Sequence, residues 1–167
     1  MPFPDHLLEQ AHHLARRERN RPRQASLRRA VSTAYYALFH LLISEATLNW
    51  KRADQRSSLA RLFEHGKMKS ASDKQRGELN QFLKTNPSAG LELSVARHLH
   101  LVADTFYQAQ QKRQTADYDN ATTWTRTQVL TQMDLVTRAF QSWHAIREEP
   151  AAQAYLISLL GKPQGHG

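Results

Sequence analysis

Between residues 24 and 49 the apolar side chains recur along two neighbouring helical rows. Leu27, Val31, Ala34, Leu38 and Leu41 follow one another at steps of three and four, and Tyr35, Phe39, Leu42 and Ala46 lie beside them. A helix apolar on most sides is a central one, packed against several neighbours. One narrow row along it is polar instead: Arg29, Thr33, Tyr36 and His40, at steps of four, three and four. Polar groups on a buried helix need partners, because each one left dry and unpaired costs about 1–3 kcal/mol. That requirement directs attention to whatever other segment can supply them.

The remaining pattern is also helical. A first helix is predicted over residues 5–17, with Asp5 as N-cap and Leu7, Leu8, Ala11, Leu14 and Ala15 inward; Pro22 breaks the chain after it. Residues 50–57 read as a charged loop. A short helix over 58–65 buries Leu59, Leu62 and Phe63, with Gly66 just past its C-terminus, and a further short helix within 67–86 centres on Leu79, Phe82 and Leu83. Pro87-Ser88-Ala89-Gly90 ends it. A long helix starts near Leu91, with Val95, Leu99, Val102, Phe106 and Ala109 inward. Asp119 and Asn120 suit the cap of the last long helix, whose inward row is Val129, Met133, Val136, Phe140 and Trp143. A short apolar helix over 151–160 follows, and 161–167 reads as a disordered tail. The fold class is all-α: an up-and-down bundle of four to five helices with short accessory ones, forming one domain over residues 1–160.

Composition narrows the setting. The chain has no cysteine, so disulfides and thiolate metal sites are excluded. Its start lacks the basic and then apolar run of a signal peptide, and no stretch approaches a membrane span. A cytoplasmic protein with no membrane attachment is expected. The net charge of +8 is unevenly placed. Arg16, Arg17, Arg19, Arg21, Arg23, Arg28 and Arg29 all precede residue 30, against Asp5, Glu9 and Glu18, which gathers half of the excess in under a fifth of the chain. Arg16, Arg17, Arg19, Arg21 and Arg23 form a basic patch that attracts polyanions, nucleic acid first and acidic protein surfaces second. A solvated arginine-rich loop between helices is the alternative.

The long helix beginning near Leu91 changes character at its end. Its inward row continues through Gln110 and Arg113 to Asp117, so the stripe that packs the core turns charged. Arg113 and Asp117 are four apart and can pair on one helical face. Together with Tyr118 they could join Arg29, Tyr36 and His40 in one inward polar network.

These segments together resemble the HEPN family of α-helical domains. The likeness rests on the Arg-rich lead into Ala34-Tyr35-Tyr36-Ala37-Leu38-Phe39-His40, on Phe63-Glu64-His65-Gly66-Lys67, and on Arg113-Gln114-Thr115-Ala116-Asp117-Tyr118. It covers roughly residues 24–146 and looks most like the compact stand-alone prokaryotic branch. The resemblance implies a homodimeric bundle that works on RNA or nucleotides. Some members are metal-independent ribonuclease toxins neutralised by a nucleotidyltransferase-type partner; others are binding modules.

The family's nuclease signature is an Arg and a His separated by four to six residues. A histidine can take the 2′-hydroxyl proton or protonate the leaving oxygen, and an arginine can stabilise the phosphorane. Here no His follows Arg113 within that window; Asp117 and Tyr118 stand there instead. Losing the histidine removes a factor on the order of 10²–10⁴ in rate. Arg138 and His144 satisfy the spacing, but six residues turn a helix by about 240°, so they diverge. His40 or His65 could supply the base by approaching Arg113 in space, or each could be a structural histidine. Three readings stay open. The first is an RNA- or nucleotide-binding protein with little or no catalysis, the second a toxin-type ribonuclease using Arg113 with His40 or His65, and the third a protein-binding accessory module. No cofactor and no metal is expected: Glu9 and His12 have carboxylate-metal spacing without the companions such a site needs. His98 and His100 are expected to face solvent on different sides, and Trp124 and Trp143 to be packing groups.

Overall fold

A computed structural model describes residues 2–86 and 90–162. Among these residues the chain forms seven α-helices and no strand: α1 (Phe3–Ala15), α2 (Gln24–Leu48), α3 (Arg56–Ala60), α4 (His65–Thr85), α5 (Leu91–Tyr118), α6 (Arg126–Ile146) and α7 (Pro150–Ser158). A single 3-10 turn, Ala53–Gln55, precedes α3. None of these helices is long and apolar enough to cross a membrane. Four helices have 21 residues or more, and three are shorter.

The chain packs as two compact units, each assembled from separated stretches: Met1–Leu41 with Thr105–Gln141, and Leu42–Asp104 with Ser142–Gly167. In the first unit α1 and most of α2 pack with the second half of α5 and most of α6. Its core is Ala11, Leu27, Val31, Ala34, Tyr35, Leu38, Phe106, Val129, Met133 and Val136, all at most 1% exposed. The wide apolar face of α2 is thus consumed, as the two rows predict. In the second unit Met68, Leu99, Val102, Trp143, Ala152 and Leu159 are fully buried. Tyr155 is buried too, and its phenol meets the hydroxyl of the buried Ser72 at 2.7 Å, which settles both polar groups.

Several boundaries differ from the sequence expectation. α1 starts at Phe3 behind Pro2, so Asp5 lies inside its first turn rather than capping it. No helix spans 58–65. α3 stops at Ala60, Glu64 is extended at φ −120° and ψ 137°, and α4 runs unbroken from His65 to Thr85. Gly66 therefore sits in the first turn of α4, where a Cβ would meet open space. Phe63 is buried, whereas Leu62 is 61% exposed. Asp119 caps no helix. It closes a turn, accepting from the Ala121 N–H at 2.9 Å and the Thr122 hydroxyl at 2.8 Å. α6 is started by a capping box instead: the Gln128 N–H donates to Thr125 Oγ1 at 3.2 Å, and the Thr125 N–H to Gln128 Oε1 at 3.0 Å. The terminator 87–89 and the tail residues 163–167 lie outside the described residues.

Candidate nucleic-acid interface

The loop between α1 and α2, residues 16–23, carries Arg16, Arg17, Arg19, Arg21 and Arg23, and all five are exposed. Glu18 is the only acid among them. Its carboxylate accepts from the Ser26 hydroxyl at 2.7 Å, which holds its pKa below the usual carboxylate range. The backbone beneath these cations is fixed. Arg126, at the start of α6, donates through Nε to Ala15 O at 3.1 Å, through Nη1 to Arg19 O at 3.2 Å and through Nη2 to Glu18 O. Gln24 and Trp124 add a two-way tie: the Gln24 amide donates to Trp124 O at 2.7 Å and accepts from the Trp124 N–H at 2.9 Å. Within this pinned loop Arg21 adopts a left-handed backbone, φ 50°. A non-glycine residue there costs roughly 1–2 kcal/mol, so the surrounding bonds must hold it in place.

Arg28, not the predicted Arg29, turns inward from α2. It donates to the carbonyls of Ala116 at 2.9 Å, Asp119 at 2.8 Å and Thr122, closing the C-terminal end of α5. One turn on, the Ser32 hydroxyl donates to Asp117 Oδ2 at 3.3 Å. Asp117 in turn lies 3.8 Å from Arg113 Nη1. Arg113 is only 9% exposed, and its guanidinium lies 5.1 Å from the Tyr35 ring centre and 5.8 Å from that of Tyr36. Arg113 Nε is buried without a hydrogen bond, and so is Gln110 Oε1, three residues earlier on the same face of α5. These two unpartnered polar atoms on one turn are the unsatisfied groups of this part of α5.

No known protein family, curated protein or solved structure matches the chain. The site is therefore read from its own chemistry.

Of the predicted network, Arg113, Asp117 and Tyr36 come together. His40 follows one turn along α2, its ring 6.4 Å from that of Tyr36 and edge-on to Phe3 at 5.1 Å and Phe39 at 5.2 Å. Burial among these rings lowers its pKa below the ordinary value, so the neutral imidazole prevails at neutral pH. Burial likewise pushes the Tyr35 phenol up, keeping it protonated. Arg29 is exposed, and Tyr118 is 77% exposed at the end of α5. His65 belongs to the second unit, at the first position of α4.

The other histidines and the tryptophans are also placed. His98 is half-buried, and its Nδ1 lies 2.9 Å from the hydroxyl of the buried Ser142, so it does not face solvent as expected; α6 supplies a partner that helical spacing on α5 alone does not reveal. His12 Nε2 lies 3.2 Å from Thr137 Oγ1, while Glu9 is exposed. Trp143 is fully buried and Trp124 half-buried, as packing groups are. Sequence reasoning missed Arg28, Ser32 and Arg126. The Thr-x-x-Gln run at 125–128 was the available signal for the corner that Arg28 and Arg126 secure.

Proposed function

We propose that this chain is a HEPN-like helical protein that binds RNA or nucleotide with little or no catalysis of its own. The observation that carries the reading is the α1–α2 loop: five exposed guanidiniums on eight residues, with Arg126 holding the carbonyls of Glu18 and Arg19 and Ser26 holding the Glu18 carboxylate. A loop ordered in advance loses less conformational entropy when it binds, and arginine grips phosphate oxygens in a fixed fork. The spacing and exposure favour a polyanion over a single compact anion.

The test is binding of a 12-nucleotide single-stranded RNA across a salt series. Five phosphate contacts give a slope of about −3.5 in log K against log salt, which is roughly a hundredfold loss between 50 and 200 mM. Replacing Arg16, Arg17, Arg19, Arg21 and Arg23 with glutamine flattens that slope. Affinity indifferent to salt, or unchanged in the glutamine variant, overturns the reading.

A second reading, a metal-independent ribonuclease, is favoured by His40. A neutral imidazole next to the Tyr36 ring that carries Arg113 has the protonation state of a general base. Cleavage of RNA in the presence of a chelator, abolished by His40→Ala and by Arg113→Ala, would establish it. Intact RNA after prolonged incubation with the wild type leaves the binding reading standing alone.

A further inference from the structure

In the second unit, α4 and α7 border a groove of about 820 Å³ whose apolar lining includes Ala71, Ala154, Ile157 and Leu160. A second hollow of about 330 Å³ also has Ile157 and Leu160 in its lining, together with Trp50, Leu59 and Phe63. Ile157 is 72% exposed and Trp50 48% exposed. An exposed apolar residue shared by two hollows is a shape that a partner's side chains can straddle.

The charge is one-sided. Lys67, Lys74 and Lys162 line the larger hollow against Glu78 alone, and no charged residue lines the smaller one. Gly161, at φ 93°, makes the lysine lip possible: a Cβ there would lie 3.0 Å from Lys67 Cδ, so the turn lets the Lys67 stem lie against the chain just before Lys162. The ion pairs that Lys67 makes with Glu64 at 3.3 Å and Lys74 with Glu78 at 3.8 Å join side chains at least half exposed. Such pairs contribute little, so the lysines can be taken over by incoming carboxylates. Asn49 and Gln153, the polar residues of the smaller hollow, are bonded to each other at 2.6 Å.

We infer that this surface receives an acidic amphipathic helix from a partner protein, its apolar stripe seated around Ile157 and its carboxylates on Lys67, Lys74 and Lys162. From Lys67 to Glu78 α4 runs about 16 Å, the length of three helical turns. An incoming helix of that length places apolar residues at i, i+3, i+4 and i+7 into the two hollows. A compact small molecule would fill one hollow and leave the other, with its tryptophan, uncovered.

The probe is a panel of helix-stapled 14-residue peptides with leucine at i, i+3, i+4 and i+7 and either glutamate or lysine on the flanks. Binding to the full chain is followed by amide chemical shifts of α4 and α7. The glutamate peptides shift these resonances and bind at least tenfold tighter than the lysine ones. Ile157→Glu, on a position open to solvent, weakens them at least tenfold while leaving the fold intact, and Lys67→Glu with Lys74→Glu reverses the preference. Absence of shifts with every glutamate peptide at millimolar concentration overturns the inference, as does equal binding of the two kinds. Shifts at α4 and α7 that grow with protein concentration alone would give the surface to a second copy of the chain. Shifts produced by RNA and by none of the peptides would give it to RNA. Either outcome rejects the peptide helix, and neither depends on whether the arginine loop binds RNA.

Discussion

Arg21 is the residue at which strain and charge coincide. Its φ of 50° lies in the left-handed region, yet its side chain is exposed, so the penalty is not offset by burial of that side chain. Substituting glycine removes the steric clash but frees the unfolded chain, and these two effects nearly cancel. Arg21→Gly is therefore expected to unfold within about 0.5 kcal/mol of the wild type while reducing the RNA salt slope by about 0.7. Urea denaturation and the salt series check both halves; an unchanged slope removes Arg21 from the interface. Arg113 is the inverse case. It is buried, its carboxylate is 3.8 Å away and its Nε is unbonded, so the charge is poorly compensated where it sits. Arg113→Met keeps the volume against Tyr35 and Tyr36 and is expected to leave stability within about 1 kcal/mol, whereas Arg113→Ala opens a cavity and loses about 2–3 kcal/mol. A Met variant destabilised as badly as the Ala variant would make the guanidinium itself essential to packing.

Among the elements, the corner between α5 and α6 depends on one side chain from α2. Three carbonyls that no helical N–H reaches accept from Arg28. Arg28→Met leaves them to water and is expected to cost about 2–4 kcal/mol, against about 1 kcal/mol for Thr125→Ala, which removes only the α6 cap. Amide exchange at residues 119–125 quickens in the first variant and stays near the wild-type rate in the second if Arg28 holds the corner. That corner also shows where legibility ended. Periodicity is a local property, so the central helix, its two buried rows and the inward rows of α5 and α6 could be read from spacing alone. The stripe turning charged at Arg113 was equally visible. Which of two adjacent arginines turned inward was not: Arg28 and Arg29 differ by 100° of helical rotation, and only the position of the α5 C-terminus decides between them. Gly66 misled for a related reason, since a glycine in an exposed first turn is indistinguishable in sequence from one just past a helix end.

For the whole molecule, acid acts in two ways that salt can separate. The sequence holds nine histidines, so protonating all of them carries the formal net charge from +8 to +17 and raises self-repulsion. Two of them add a term of a different origin. Thr137 Oγ1 gives its own proton to Met133 O at 2.9 Å, so it accepts from His12 Nε2; His12 Nδ1 then accepts from Arg16 at 3.4 Å. A second proton on that ring would set two donors against each other. Burial, then the Arg16 charge, lowers the His12 pKa against a smaller opposing pull from Asp134, and burial alone lowers that of His40. Both groups therefore bind protons more weakly folded than unfolded. The stability they contribute is complete above pH 6.5 and is lost as pH falls through their lowered folded values. Surface repulsion fades at 1 M salt, where the screening length is about 3 Å, while the cost of charging a half-buried ring among Phe3, Tyr36 and Phe39 persists. Unfolding midpoints taken from pH 7.5 to 5 should fall steeply at low salt and less steeply at 1 M. The part that remains at 1 M should shrink in His40→Phe and shrink further when His12→Gln is added. A high-salt slope unaltered by both substitutions would assign the acid sensitivity to the other seven histidines and leave His40 an ordinary imidazole.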